Sequence, residues 1–170
     1  MVFLTIRRTA MELPSTAQSY PQKESSSYDI DFYAWTQEQA RLLLQQDSHG
    51  LDWANLAEEI ASLGKQQKQE LRNRLGVLIG HLLKWDYQPD HRSKSWEFTI
   101  AEQRDEILEI LTDNPSLRPY LEEAVSKGYV KGMRLVLSET PIAKDDLPST
   151  CPYTIAQLLD PAFPPNSVEV

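Results

Sequence analysis

The chain has 170 residues, 41% of them apolar and 25% charged, a composition that suits one domain with its own core and flanking tails. Its single cysteine, Cys151, excludes an intramolecular disulfide and any cysteine-held zinc or iron–sulfur site. No apolar run approaches the ~18 residues of a membrane span, and a net charge of −8 works against nucleic-acid binding.

Residues 1–27 are rich in Ser, Thr, Gln and Pro and lack apolar periodicity, so they read as a disordered head. Met1–Ile6 is too short for an export core, and Arg7 and Arg8 follow it instead of preceding it. Met11 offers a second start. Absent disulfides and an absent export signal together predict a reducing, cytoplasmic setting.

The first helical pattern runs from Asp31, as N-cap, to Gln46. It places Phe32, Trp35, Gln39, Leu42 and Leu43 on one face. Asp47-Ser48-His49-Gly50 supplies turn chemistry. Asp52 can cap a second helix, whose apolar residues are Trp53, Leu56, Ile60, Leu63, Leu71, Leu75, Leu78, Leu82 and Trp85. At ~100° per residue these keep within roughly 60° of one line. The phase survives Gly64, which predicts one helix from Trp53 to Trp85; a stop at Gly64 would require the left-handed cap conformation.

Leu75–Trp85 is apolar nearly all round and should be the centre of the domain. Gly76 and Gly80, four apart, leave a smooth strip for another helix. Gln88–Lys94 reads as a loop opened by Pro89. Ser95 is the expected N-cap of a third helix ending near Thr112, with Trp96, Ile100, Gln103, Ile107, Ile110 and Leu111 inward. After Asn114-Pro115, Ser116 should cap a fourth helix with Pro119 in its first turn. That helix buries Leu117, Leu121, Ala124, Val125, Gly128, Gly132, Leu135 and Val136. Thr154 and Gln157 form a capping box for a last short helix, and Tyr153 and Leu158 form its staple. From Pro161 to residue 170 the prolines predict an irregular tail. The expectation is an all-α bundle of four main helices plus one short C-terminal helix, over residues 28–160.

Chemistry is harder to find. The sequence has no glycine-rich phosphate loop, no Ser–His–Asp signature and no HExxH. Glu58 and Glu59 are adjacent, yet helix neighbours point ~100° apart and suit a solvated pair better than an acid–base couple. His81 lies near the apolar line and reads as a core histidine bonded to Gln103 across helices. In a continuous helix, Glu59 and His81 lie ~33 Å apart and cannot share a metal. Asp86, Asp90 and His91 match no metal spacing. Lys65, Lys68, Arg72 and Arg74 read as one solvated basic face. Trp53, Trp85 and Trp96 fall at helical core positions and read as packing residues.

Five blocks, YDIDFYAWTQEQARLLL, LDWANLAEEIASLG, HLLKWDYQPDHRSKSWEFTIAEQR, PSLRPYLEEA and CPYTIAQLLD, resemble the bacterial domain-of-unknown-function family 29 over Tyr28 to Asp160. The matching words are Glu58-Glu59, His81-Leu82-Leu83-Lys84-Trp85, Gln88-Pro89, Ser95-Trp96 and Gln103-Arg104. Gly76 and Gly80 depart from the pattern. The resemblance implies a helical bacterial protein and brings no catalytic residues. Two functions follow as expectations. The first is a helical interaction module that binds another protein or itself, with no membrane or nucleic-acid partner and no cofactor or metal. The second is an enzyme or ligand-binding protein for a phosphate-bearing molecule, with Glu59, His81, Arg92, Gln103 and Arg104 converging on one pocket.

Overall fold

A computed structural model describes residues 27–164. The expectations for the head up to residue 26 and for the tail from residue 165 lie outside the described residues. The helices are α1 (Ser27–Ile30), α2 (Phe32–Leu44), α3 (Trp53–Tyr87), α4 (Lys94–Asp113), α5 (Leu121–Glu139) and α6 (Ile155–Leu159), with short 3-10 turns after α3, α4 and α5 and no strand among the described residues. The chain divides into two compact units between Leu56 and Ala57.

In the first unit, Asp31 caps α2 by accepting the Ala34 N–H at 2.9 Å. Trp35, Gln39 and Leu42 are buried. Tyr28 and Phe32 pack on Trp35, with ring centroids 4.9 Å and 5.7 Å away. Buried Gln39 is satisfied because its side-chain oxygen accepts the Asp52 N–H at 2.8 Å. Helix α2 ends in a Schellman motif: Asp47 N–H reaches the Leu42 carbonyl at 3.0 Å and Gln46 N–H the Leu43 carbonyl at 3.1 Å. The motif puts Gln46 at φ 57, a left-handed conformation that favours glycine.

Helix α3 spans 35 residues without a break. No glycine has positive φ, so Gly64 is right-handed, as the unbroken apolar phase requires. The apolar line is nevertheless used unevenly. Leu71, Leu75, Leu78, Ile79, Leu82, Leu83 and Trp85 are at most 1% exposed, whereas Ile60 and Leu63 are 66% and 60% exposed. Trp53, expected to pack, is 60% exposed, and Phe32 and Leu43 on α2 are 49% exposed each. Periodicity shows which face of a helix is apolar; it does not show that anything covers it.

In the second unit the glycine strip of α3 meets a matching strip on α5. A Cβ built on Gly132 would lie 2.9 Å from both the Gly76 carbonyl oxygen and the Gly80 nitrogen. One built on Gly128 would lie 3.2 Å from the Gly76 nitrogen. The two backbones therefore touch, which only missing side chains permit. Ile100, Ile107 and Leu111 of α4 and Leu121, Ala124, Val125 and Val136 of α5 belong to the same core as α3. Tyr129, absent from the expected inner face, is also buried and donates its hydroxyl to the Pro148 carbonyl.

Two expected caps move. Ser93, not Ser95, caps α4, its hydroxyl accepting the Trp96 N–H at 3.4 Å. Both serines carry the right side chain, but Ser93 alone has extended backbone at the point where the preceding turn ends. Ser116 caps nothing. Pro115–Tyr120 forms a 3-10 turn and α5 starts at Leu121; Pro119 has no N–H to donate to a Ser116 cap and disfavours the α conformation at Arg118 before it. The capping box of Thr154 and Gln157 forms as expected, and Tyr153 and Leu158 are both buried.

Candidate functional site

The five residues expected to converge are held by separate contacts. Glu59 is half-buried, well before the buried half of α3 begins at Leu71. The unbroken helix keeps it ~33 Å from His81. His81 is half-buried, and its Nδ1 bonds the Val77 carbonyl at 3.0 Å, one turn back on its own helix. The expected bond to Gln103 is not made. Helical side chains lean toward the N-terminal turn, so the i−4 carbonyl reaches the imidazole before a neighbouring helix does. Burial, aided by the Lys84 charge, lowers the His81 pKa, and the Val77 bond opposes this.

Arg92 serves α3. Its Nε donates to the Trp85 carbonyl at 3.0 Å, and its guanidinium lies 5.0 Å from the Trp85 ring centroid. This satisfies a late carbonyl of the helix and complements its negative end. Gln103 is buried beside the core stripe of α4.

Arg104 is the exception. It is 3% exposed, and it reaches the segment after α6. Its Nε donates to the Leu158 carbonyl at 2.9 Å and its Nη2 to the Phe163 carbonyl at 2.7 Å. Burial lowers its pKa, while Asp160 and Asp105 act through space in the opposite direction. Arg104 also helps to wall a pocket of about 240 Å³ completed by Trp85, Glu97, Ile100, Ala101, Pro161, Phe163 and Pro164. None of the other four candidates lines it.

A second polar contact escaped the sequence reading. Lys84 is 5% exposed, and its Nζ sits 2.8 Å from Glu139 Oε2 and 4.5 Å from the Trp96 ring centroid. In sequence, Lys84 stands among Leu82, Leu83 and Trp85. Its buried state depends on Glu139, 55 residues away. Asp86 is likewise engaged, accepting the Tyr153 hydroxyl at 2.7 Å. Burial and then Asp86 raise the Tyr153 pKa, so the phenol remains a donor.

The described residues contain helices and turns and no strand, which makes this an all-α protein, and no described helix is long and apolar enough to cross a membrane. The chain belongs to the family described as Domain of unknown function DUF29, whose model matches residues 27–164. No curated protein and no solved structure matches it.

Proposed function

We propose that the protein is a helical interaction module, and that the open face of α3 pairs with the same face of a second copy. The observation that carries this reading is the exposure of Ile60 and Leu63 on an apolar line that is buried further along the same helix. Large apolar side chains grouped on one helical face favour a partner that removes them from water. Around them the surface suits close approach: an added Cβ at Gly64 would meet nothing within 4 Å. The stretch 57–69 holds Glu58, Glu59, Lys65 and Lys68, and is locally neutral in a chain of net charge −8. Two copies can therefore meet there without the repulsion their net charge imposes elsewhere.

Sedimentation from about 1 to about 200 μM should reveal a monomer–dimer equilibrium in the micromolar range. The double variant Ile60→Asp, Leu63→Asp should remain monomeric with an unchanged helical circular dichroism spectrum. A parent chain that is monomeric throughout would overturn the self-pairing. The alternative, an enzyme or ligand-binding protein built on Glu59, His81, Arg92, Gln103 and Arg104, is less favoured, since of the five only Arg104 lines the pocket.

A further inference from the structure

Arg104 and Trp85, each with an N–H that no described residue accepts, line one pocket. The Arg104 guanidinium carries five N–H groups, and among the described residues its acceptors are reached through Nε and Nη2 only, both of them neutral carbonyls. No described carboxylate forms an ion pair with it; Asp105 and Asp160 act only through space. A buried charge held by neutral acceptors alone is costly, and an anion in contact would offset that cost. Trp85 is 1% exposed, and its indole N–H has no acceptor among the described residues. Both side chains line the same pocket.

The remaining walls define the ligand. Ile100, Ala101, Pro161, Phe163 and Pro164 are apolar, and the volume of about 240 Å³ holds on the order of ten heavy atoms. Two N–H donors from one guanidinium and one indole match the two oxygens of a carboxylate. A phosphate dianion fits less well, since Glu97 lines the pocket and Asp105 and Asp160 lie near the guanidinium. We propose that this pocket binds a small monocarboxylate with an apolar or aromatic body, its carboxylate on Arg104 and the Trp85 indole N–H and its body against Phe163 and Ile100. The site is independent of the α3 face invoked for self-association.

The test follows the four indole N–H resonances of the full chain by NMR while 3-phenylpropionate is added. Trp85→Phe identifies the Trp85 signal by its disappearance. The Trp85 N–H should shift downfield and saturate, with a dissociation constant on the order of 1 mM for so small a ligand. 3-Phenylpropionamide and inorganic phosphate should each bind at least about tenfold more weakly. Because Arg104 also ties down the segment after α6, its removal could unfold that segment. Ala101→Trp avoids this: Ala101 is exposed yet lines the pocket, so the new ring should fill it and abolish the shift without lowering the melting temperature.

A phenylalanine-ended tripeptide, with its carboxylate free or amidated, tests whether a chain end is the source of the same chemistry. The pocket volume of about 240 Å³ leaves little room for a peptide backbone, so 3-phenylpropionate should bind more tightly than either tripeptide. Tighter binding of the peptide would overturn the small-molecule assignment. An unmoved Trp85 signal, equal shifts from the amide, or unimpaired binding by Ala101→Trp would overturn the site itself.

Discussion

Gly132→Ala should destabilise the protein although it places a better helix former inside a helix. Replacing a right-handed helical glycine by alanine normally stabilises by about 1 kcal/mol. At Gly132 the new methyl would sit 2.9 Å from the Gly76 carbonyl oxygen and 2.9 Å from the Gly80 nitrogen. Both atoms are backbone of α3 and cannot rotate away. The two helices must part by several tenths of an ångström, loosening contacts around Leu75, Ile79 and Val136, each at most 1% exposed. Overpacking usually costs about 1–3 kcal/mol and occasionally more; because the obstructing atoms are backbone, the upper end of about 2–4 kcal/mol applies, which leaves a net loss of about 1–3 kcal/mol after the propensity gain. Gly64→Ala is the control, because its methyl meets nothing within 4 Å and should stabilise by about 1 kcal/mol. Two identical substitutions in one protein should thus differ by about 2–4 kcal/mol, or roughly 6–14 °C in melting temperature for a chain of this size. Gly80→Ala should fall between them, since its closest clash, at 2.7 Å, is with the mobile end of Leu135. Urea unfolding with the slope fitted for each variant is the appropriate assay. A Gly132→Ala protein as stable as the parent, or more so, would refute the close helix contact.

Other substitutions probe other parts of the chain. Glu139→Gln leaves the nearly buried Lys84 ammonium without its anion and should cost about 1–2 kcal/mol in urea unfolding, the lower part of the usual range because Glu139 is half-exposed. Lys84→Met should be close to neutral by the same measurement. Gln46→Gly should stabilise α2 by about 1 kcal/mol by relieving the positive φ, and an unchanged melting temperature would count against the Schellman geometry. His81 has a pKa lowered below its ordinary 6.5. As pH falls below about 6.5, the unfolded chain therefore takes up the proton first and stability declines. His81→Gln should flatten that part of the curve relative to the parent, while leaving stability above pH ~7 nearly unchanged; parallel curves would show that His81 titrates alike in both states.

Local rules account for what was legible in the residues alone. An apolar line that kept phase through Gly64 predicted α3 as one helix, and that continuity alone separated Glu59 from His81. Asp31 and the Thr154–Gln157 box were readable because a cap is a contact within four residues. The all-α class and the glycine strip at Gly76 and Gly80 were readable for the same kind of reason. Ser93 and Ser95 are equivalent as letters, and the preceding turn chooses between them. Tertiary structure decided what depends on residues distant in sequence. It decided that Ile60 and Leu63 are uncovered while Leu75 and Leu78, on the same line, are buried. It joined Lys84 to Glu139. It turned Arg104 toward Leu158 and Phe163 and set it in the wall of one pocket with Trp85. Periodicity encodes the direction a side chain points, and burial adds a second body that no local pattern specifies.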